Sequence, residues 1–218
     1  HIPTVPGYSF VQVNHGQFFL RVFAYDFDKL EGKISVRRST QGEELVLLGG
    51  EEIAIEHGSI LITDEAGPIG LAGIMGGQRT CVSASTENVF LESAFFSPIS
   101  LSGKARTHGL STDASHRFER GVDWKGQELA LNRAIQLLKE IAGGEAGPLT
   151  QEINEESLPK AATLKLRPAQ IERVLGIAVE KSKIESIFFR LGLVANFQES
   201  RSEKVWEVVV PSHRFDIN

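Results

Sequence analysis

The chain has 218 residues, 41% of them hydrophobic and 23% charged, which suits one or two globular domains with a buried core. A net charge of −5 excludes a generally basic surface, so any contact with nucleic acid needs a local patch. The single cysteine, Cys81, excludes an internal disulfide and a cysteine-based zinc site. The sequence shows no signal peptide and no apolar run that could span a bilayer, which predicts a cytoplasmic protein without membrane contact. A start at His1 without Met and a stop in mid-pattern at Asn218 predict a piece of a longer protein.

The first part of the chain is predicted to be rich in antiparallel strands. Residues 1–23 form an uncertain N-terminal stretch, and from residue 24 onward short alternating runs are separated by glycine turns. Met75-Gly76-Gly77 predicts a tight turn after a buried strand, with close approach of a ligand as the alternative. The predicted strands are Lys33–Arg38, Glu44–Leu48, Glu51–Glu56, Ser59–Thr63, Ile69–Ile74 and Glu87–Phe96.

Helices follow these strands. Ser97-Pro98 is a helix start, and the helix is predicted to continue through Arg106 before a turn over Gly109–Ser115. The clearest helix is Trp124–Ala142, with Asp123 as its cap, an apolar stripe of 3.6-residue period and Gly143-Gly144 at its end. The sequence therefore predicts an α+β domain over residues 24–150, with helices packed on a mixed or antiparallel sheet.

A second, smaller domain is predicted after a linker. Residues 151–160 are acidic, polar and end near a proline, as domain linkers often do. Residues 161–218 then read as strand, helix, helix and strand, with a charged hairpin tip. The predicted elements are Ala162–Leu166, Pro168–Leu175, Lys183–Leu191 with Ser182 as its cap, and Val205–Val210.

The familiar catalytic motifs are missing from this sequence. It contains no Walker A loop, GxGxxG, GxSxG or HExxH motif, and His108 and His116 are poorly spaced for a metal. The most unusual position is Glu92, a carboxylate between Phe90 and the apolar run Ala94–Phe96. A buried charge is costly unless it is paired, so this residue needs either an internal partner or a ligand.

Several motifs resemble the bacterial phenylalanyl-tRNA synthetase β subunit. The first group resembles its B3/B4 domain, and the second resembles the start of its B5 domain. The first group is YDFDKLEGKISVR (Tyr25–Arg37), GLAGIMGG (Gly70–Gly77), ENVFLESAFFSP (Glu87–Pro98), GKARTHGLSTDASHRFERGVD (Gly103–Asp123) and GGEAG (Gly143–Gly147). The second is LRPAQIERVLG (Leu166–Gly176), FRLG (Phe189–Gly192) and VPSHRFDI (Val210–Ile217).

The resemblance implies a fold and an activity. The fold would be a β-rich three-layer B3/B4 domain, followed by a partial B5 module of small α/β, winged-helix-like character. The activity would be editing, the hydrolysis of tyrosine wrongly esterified to the phenylalanine tRNA. The parent would be an ATP- and magnesium-dependent ligase of two α and two β subunits, while this piece itself would need no cofactor.

The same resemblance assigns residues. The glutamate that recognises the tyrosine hydroxyl falls on Glu92, and the residues that shape the pocket fall on Thr112 and Ala114. The glycine that admits the substrate falls on Gly76. Hydrolysis would use a positioned water, with backbone N–H groups near Gly76 or residues 112–115 as candidate oxyanion donors.

A physical argument supports such a site. A phenylalanine pocket rejects an isostere with one added hydroxyl only by roughly 10²-fold. A second site built around the hydroxyl does better, because phenylalanine would leave the buried oxygen of Glu92 unpaired. Tyrosine would instead donate its phenol to the carboxylate in a charge-assisted hydrogen bond.

Two positions depart from the family pattern. Phe23 stands where the family has a histidine, and His15 is not assigned to that role. Asp216 matches the first of several magnesium ligands of the family, an incomplete set here because one carboxylate binds Mg²⁺ poorly.

Three functions are therefore open. The first is an editing domain that hydrolyses tyrosyl-tRNA(Phe). The second is a non-catalytic piece with an incomplete pocket that docks tRNA(Phe) or the α subunit, which the Phe23 departure favours. The third, an accessory domain of a tRNA-modifying enzyme, is disfavoured by the B5-like residues at the end of the chain.

Overall fold

The computed structural model describes residues 22–200 and 204–217, so His15 and most of residues 1–23 lie outside the described part. The chain divides into two compact units, His1–Ser157 and Leu158–Asn218. The strands described in the first unit are β1 (Phe23–Asp26), β2 (Ser35–Arg38), β3 (Glu44–Val46), β4 (Glu52–Ala54), β5 (Ile60–Asp64), β6 (Gly67–Leu71), β7 (Met75–Gly76) and β8 (Val89–Glu92). Its helices are α1 (Pro98–Leu101), α2 (Lys104–Thr107), α3 (Asp113–Phe118) and α4 (Gln127–Ala142).

The first unit is built on antiparallel strands, as the alternating sequence predicts. One sheet has the order β2-β5-β6-β7, and β3 pairs with β4 in a separate hairpin. The pair formed by β1 and β8 joins segments 67 residues apart in sequence and carries Glu92 at its end. Together with the helices, these sheets confirm the predicted α+β class.

Two apolar clusters form the core of this unit. The larger cluster includes residues of the β1–β8 pair and packs them against α3 and α4, which contribute Ala114, Phe118 and Ala134. The smaller one lies between β3, β4, β5 and β6 and includes Leu45, Ile53 and Leu61. Glu92, the last residue of β8, is therefore surrounded by apolar side chains of the larger cluster, so its carboxyl group lies in an environment of low polarity.

The predicted turn at Met75-Gly76-Gly77 is wrong. The strand β6 ends earlier, at Leu71, and the chain turns through Gly73, whose φ is +68°. Met75 and Gly76 then form β7 and pair with Leu71 and Gly70. Glycine is required at this turn for two reasons. A Cβ at position 73 would lie 2.8 Å from Leu101 Cδ1, and any other residue would be strained at this positive φ.

The helix bounds also differ from the prediction. The segment predicted as one helix from Pro98 is split into α1 and α2 by Gly103, which has a φ of +77°. The predicted turn Gly109–Ser115 ends early, because α3 begins at Asp113 with Thr112 as its N-cap. The long helix begins at Gln127 rather than Trp124. The carboxylate of Asp123 accepts the backbone N–H of Lys125 and forms a turn ahead of the helix.

The second unit is a small sheet with two helices. Its elements are β9 (Thr163–Leu166), α5 (Pro168–Leu175), α6 (Lys181–Arg190), β10 (Val194–Glu199) and β11 (Lys204–Val209), and the strand order is β10-β11-β9. The bounds of β9, α5 and α6 lie close to those predicted, but α6 begins at Lys181 after Glu180 as its cap, not after Ser182. The sequence did not predict β10, because only alternate residues of that strand are half-buried and none is fully buried. Trp206, fully buried between Phe188 and Phe197, is the centre of this core.

Candidate functional site

The strand pair β1–β8 places four side chains on one face. Phe23 lies opposite Glu92, and Tyr25 lies opposite Phe90. Directly opposite residues share a face of an antiparallel pair, and so do alternate residues along each strand. The face therefore combines three aromatic rings with one carboxyl group, and the Glu92 side chain is completely shielded from solvent, with a residue exposure of 0%.

Glu92 has an internal partner for only one of its oxygens. The Tyr25 hydroxyl donates a hydrogen bond to Glu92 Oε2 at 2.6 Å. The other oxygen, Oε1, is buried and has no hydrogen-bond partner within residues 22–200 and 204–217. A buried acceptor without a partner costs about 1–3 kcal/mol, so Oε1 is a position where a ligand donor would be stabilising.

Burial also changes the charge state of this carboxyl group. Desolvation raises the pKa of Glu92 to about 8, and the hydrogen bond from Tyr25 opposes part of that rise. The pKa of Tyr25 is likewise raised well above its ordinary value, first by burial and then by the neighbouring Glu92. At neutral pH most Glu92 side chains are therefore protonated. Tyr25 and Glu92 then form a neutral pair, and a protonated carboxyl can either donate to a phenol or accept from one.

Gly76 lies beside this aromatic and carboxyl face. A Cβ built on Gly76 would lie 3.4 Å from Leu48 Cδ1 and 3.8 Å from Phe23 Cδ1. Its strand partner Gly70 approaches the buried pair from the same side, since a Cβ there would lie 3.7 Å from the Tyr25 hydroxyl oxygen. Neither of these paired glycines has a side chain. They therefore leave space next to Phe23 and Tyr25 that larger residues at positions 70 and 76 would fill.

Thr112 stabilises the local fold, in addition to its predicted role of shaping the pocket. Its hydroxyl donates to the carbonyl of Ile74 at 2.9 Å and accepts the N–H of Ser115 at 3.0 Å, which caps α3 and ties it to the chain just before Gly76. Ala114, only 1% exposed, belongs to the same apolar cluster as Tyr25 and Phe90. Thr112 can therefore act on a pocket through its position, while its hydroxyl is already engaged.

The backbone N–H groups expected to stabilise an oxyanion are mostly engaged. Thr112 N–H donates to Ser115 Oγ, Ser115 N–H donates to Thr112 Oγ1, and Gly77 N–H donates to the carbonyl of Ile69. These three groups hold the turn and the strand together. An oxyanion would therefore need other N–H groups of the same segments, and the oxyanion donors expected from the sequence stay a prediction.

Sequence reasoning missed Tyr25, although a signal was present. Tyr25 is the first residue of a motif used for the resemblance, and its hydroxyl needs a partner if the ring is buried. The ring is 3% exposed and lies between Phe23 and Phe90, with centroid distances of 6.4 Å and 6.0 Å. What the sequence could not give is the strand register that brings this hydroxyl to Glu92.

Asp216 does not form a magnesium site with the residues described. Both of its carboxylate oxygens accept hydrogen bonds from Arg214, from Nε at 2.8 Å and from Nη2 at 2.9 Å. No cluster of three or more His, Cys, Asp or Glu side chains suited to a metal occurs in the described part of the chain. The arrangement around Asp216 thus does not fit Mg²⁺, and no chemical step is assigned to a metal here.

Two further features bear on where a ligand could bind. A cavity of about 280 Å³ lies in the second unit, and its lining is predominantly apolar. Its lining residues are Leu164, Lys165, Leu166, Gln170, Phe188, Leu193, Val208, Val210 and Ile217. Across the described residues, the helices lack the combination of length and apolar character needed to cross a membrane. The buried carboxyl of the first unit remains the site with the more specific chemistry.

Comparison with protein families matches both units of the chain. The model of the B3/4 domain matches residues 8–143, and the model of the tRNA synthetase B5 domain matches residues 164–218. The first match includes the entire candidate site. The second includes Asp216 and the core around Trp206.

Curated relatives agree with these two matches. Proteins named phenylalanine–tRNA ligase beta subunit are 44% identical to the chain in Pseudomonas savastanoi pv. phaseolicola and Hahella chejuensis, each over 210 residues or 96% of the chain. The one from Methylococcus capsulatus is 44% identical over 215 residues, or 99% of the chain. The chain spans about a quarter of these relatives, 26% of each.

A solved structure also matches. It is an N-terminal fragment of the phenylalanyl-tRNA synthetase beta subunit from Pyrococcus horikoshii, with 15% sequence identity and a TM-score of 0.43. The match covers 93% of this chain and 57% of that one.

Proposed function

Because the chain belongs to the B3/4 domain family and continues into a tRNA synthetase B5 domain, we propose that it is the editing part of a phenylalanine–tRNA ligase β subunit. Its substrate would be tyrosine esterified to tRNA(Phe), and its reaction the hydrolysis of that ester. The observation that carries this proposal is the buried Glu92, which has one oxygen bonded to Tyr25 and the other without a partner in the described residues.

Selectivity follows from that unpaired oxygen. A bound tyrosine ring could place its phenol against Glu92 Oε1 and complete the hydrogen bonding of a buried group. Phenylalanine would fill the same space and leave the oxygen unpaired, at a cost of about 1–3 kcal/mol, or roughly 5- to 150-fold in affinity. The editing site would thus bind the tyrosyl group, which the synthetic site cannot easily reject, as in double-sieve editing.

The chemical step would not need a nucleophilic side chain. A water molecule would attack the ester carbonyl, the bond from that carbon to the ribose oxygen would break, and the departing ribose oxygen would take a proton lost by the water, which leaves free tyrosine and a tRNA with a free ribose hydroxyl. The contribution of the chain is to hold the aromatic end of the substrate so that the carbonyl meets water in a fixed place. Gly76 and Ala114 would keep space for the ring, because neither carries a side chain larger than a methyl group.

The second candidate function is a docking piece without hydrolytic activity. Phe23 favours it, because this residue lies directly opposite Glu92, where the family resemblance places a histidine. A phenyl ring can neither transfer protons nor hydrogen-bond an ester. In that case the unit would contribute shape, and the contact with tRNA(Phe) or an α subunit would be its function.

The parent protein would supply what this piece lacks. We propose that it assembles with an α subunit into a heterotetramer, uses ATP and Mg²⁺ at a synthetic site outside this chain, and acts in the cytoplasm, where tRNA is charged. These proposals rest on the names of relatives of which this chain spans 26%.

The test is hydrolysis of tyrosyl-tRNA(Phe) and phenylalanyl-tRNA(Phe) by the chain and by two variants. Glu92→Ala removes the buried carboxyl. Glu87→Gln removes an exposed carboxyl five residues earlier and is the matched control. We expect the wild type and Glu87→Gln to prefer the tyrosyl ester, and Glu92→Ala to lose at least tenfold of that preference. Equal, background-level hydrolysis of both esters by the wild type would contradict the editing proposal and leave the docking role.

A further inference from the structure

The hydrogen bond between Tyr25 and Glu92 joins two residues 67 positions apart and is made entirely within the protein. Tyr25 begins one of the motifs that carry the family resemblance, but neither the resemblance nor the catalytic argument above assigns it a role. The residue is nevertheless the only described side chain that donates to the carboxyl group at the centre of the candidate site. Its function therefore needs an explanation separate from that of Glu92.

The surroundings of Tyr25 fix where its hydroxyl can be. The ring is 3% exposed, packed between Phe23 and Phe90, and anchored in β1 by the pairing with β8. Gly70 approaches the hydroxyl closely, since a Cβ there would lie 3.7 Å from its oxygen. With so little room to move, the phenol is a rigid donor rather than an adaptable one.

A rigid donor has a definite effect on a carboxyl group. The terminal torsion of a glutamate is broad and roughly two-fold, so an untethered carboxyl can present either oxygen in a range of directions. The bond to Oε2 selects one orientation and leaves Oε1 as the acceptor or donor for a ligand. Groups held in place before binding give tighter and more selective recognition, because less freedom is lost when the ligand arrives.

We propose that Tyr25 is a positioning and specificity-determining residue, which holds one oxygen of Glu92 so that the other recognises the hydroxyl of a tyrosyl substrate. This inference rests on the proposed editing function. It adds that the preference for tyrosine depends on two residues from two strands. It also makes the hydroxyl of Tyr25, a single atom, responsible for part of that preference.

A competing role for the same hydroxyl has the opposite sign. The Tyr25 phenol is the same chemical group as the phenol of the proposed substrate, so it could occupy the hydrogen-bonding capacity that the substrate needs. If it competed in this way, removing it would make room and increase the preference for tyrosine. Positioning and competition are therefore separated by the direction of one measured ratio.

The experiment compares Tyr25→Phe with the wild type in hydrolysis of tyrosyl-tRNA(Phe) and phenylalanyl-tRNA(Phe). The variant removes one oxygen and keeps the ring. Thr80→Val is the matched control, because Thr80 has a buried hydroxyl without a partner in the described residues. We expect Tyr25→Phe to lower the ratio of kcat/KM for the two esters about tenfold, equivalent to about 1.4 kcal/mol. The loss should appear mainly as a higher KM for the tyrosyl ester, since binding of the hydroxyl is what weakens.

Glu92→Ala completes the design as a double-mutant cycle. In the Glu92→Ala background, Tyr25→Phe should leave the ratio unchanged, because the carboxyl group through which Tyr25 acts is gone. An unchanged or increased ratio for Tyr25→Phe alone would overturn the inference, while a loss of preference in Glu92→Ala would keep the editing function. A wild type without preference for the tyrosyl ester would overturn both. Amide spectra of each variant would verify that it is folded.

Discussion

The buried carboxyl group of Glu92 makes the stability of the first unit depend on pH in a way that one substitution should remove. The pKa of Glu92 is raised from an ordinary 4.5 to about 8 in the folded protein. Between these two values the folded state holds a proton that the unfolded state has lost. The free energy of unfolding must therefore fall as the pH rises through this range, and the contribution is fully present only below pH 4.5.

The size of the effect follows from the same two values. Each pH unit over which one proton differs between the states changes the stability by about 1.4 kcal/mol. Integrated from pH 5 to pH 8, with pKa values of 4.5 unfolded and about 8 folded, the loss is on the order of 3 kcal/mol. Glu92→Gln has no titrating group at this position, so it should lack this component while keeping the pH dependence of all other groups.

The assay is urea unfolding of the wild type and Glu92→Gln at pH 5, 6.5 and 8, followed by NMR peak intensities of residues in the first unit. This readout separates that unit from the second one, which has its own core and can unfold independently. We expect the difference in stability between the two proteins to change by an amount on the order of 3 kcal/mol across the range, in favour of the variant at high pH. Two curves that remain parallel from pH 5 to pH 8 would refute a buried carboxyl with a raised pKa.

Three further predictions concern the elements that hold the site in place, each measured by urea unfolding. Thr112→Val should destabilise the first unit by about 1–2 kcal/mol, because it removes the cap bond from the Ser115 N–H. Asp64→Ala should cost about 3 kcal/mol or more, since this buried carboxylate accepts three backbone N–H bonds and one guanidinium bond. Gly73→Ala should also lose about 2 kcal/mol or more, because it adds a methyl group 2.8 Å from Leu101 Cδ1 at a positive φ. Unfolding midpoints equal to that of the wild type would contradict each prediction.

Much of the fold follows from local pattern. Short alternating runs between glycine turns gave β2, β3 and β5 to within two residues, because alternation of apolar and polar residues is typical of strands. The helix starting at Pro98 was also found, since proline favours a first turn. These features depend on neighbours in sequence and need no knowledge of the rest of the molecule.

Two errors, at Gly73 and at Gly103, have different causes. Gly73, and not Gly76, makes the turn, because Leu101 and Phe118 pack against it from distant segments. The helix after Pro98 breaks at Gly103, although its sequence continues a plausible helical pattern. Only the turn at Gly73 involves contacts from distant segments. At Gly103 a built Cβ would meet no atom within 4 Å, and the break lies at a glycine with a φ of +77°.

The site was predicted in part. The position of Glu92 in an apolar strand marked it as a carboxyl group needing a partner, and its complete burial bears out that reasoning. The partner could not be predicted, because Tyr25 reaches Glu92 only through the register of two strands far apart in sequence. The raised pKa of Glu92 could not be predicted for the same reason, since desolvation depends on the packing around the carboxyl group.

The central claim is that Glu92 recognises the hydroxyl group of tyrosine. The most direct measurement is an NMR titration of the chain with free tyrosine and, separately, with phenylalanine, following backbone amide shifts. The account predicts shifts with tyrosine around Glu92, Tyr25 and Gly76 that are weaker or absent with phenylalanine, and that disappear in Glu92→Ala. Equal responses to the two amino acids, or no response to either, would contradict it.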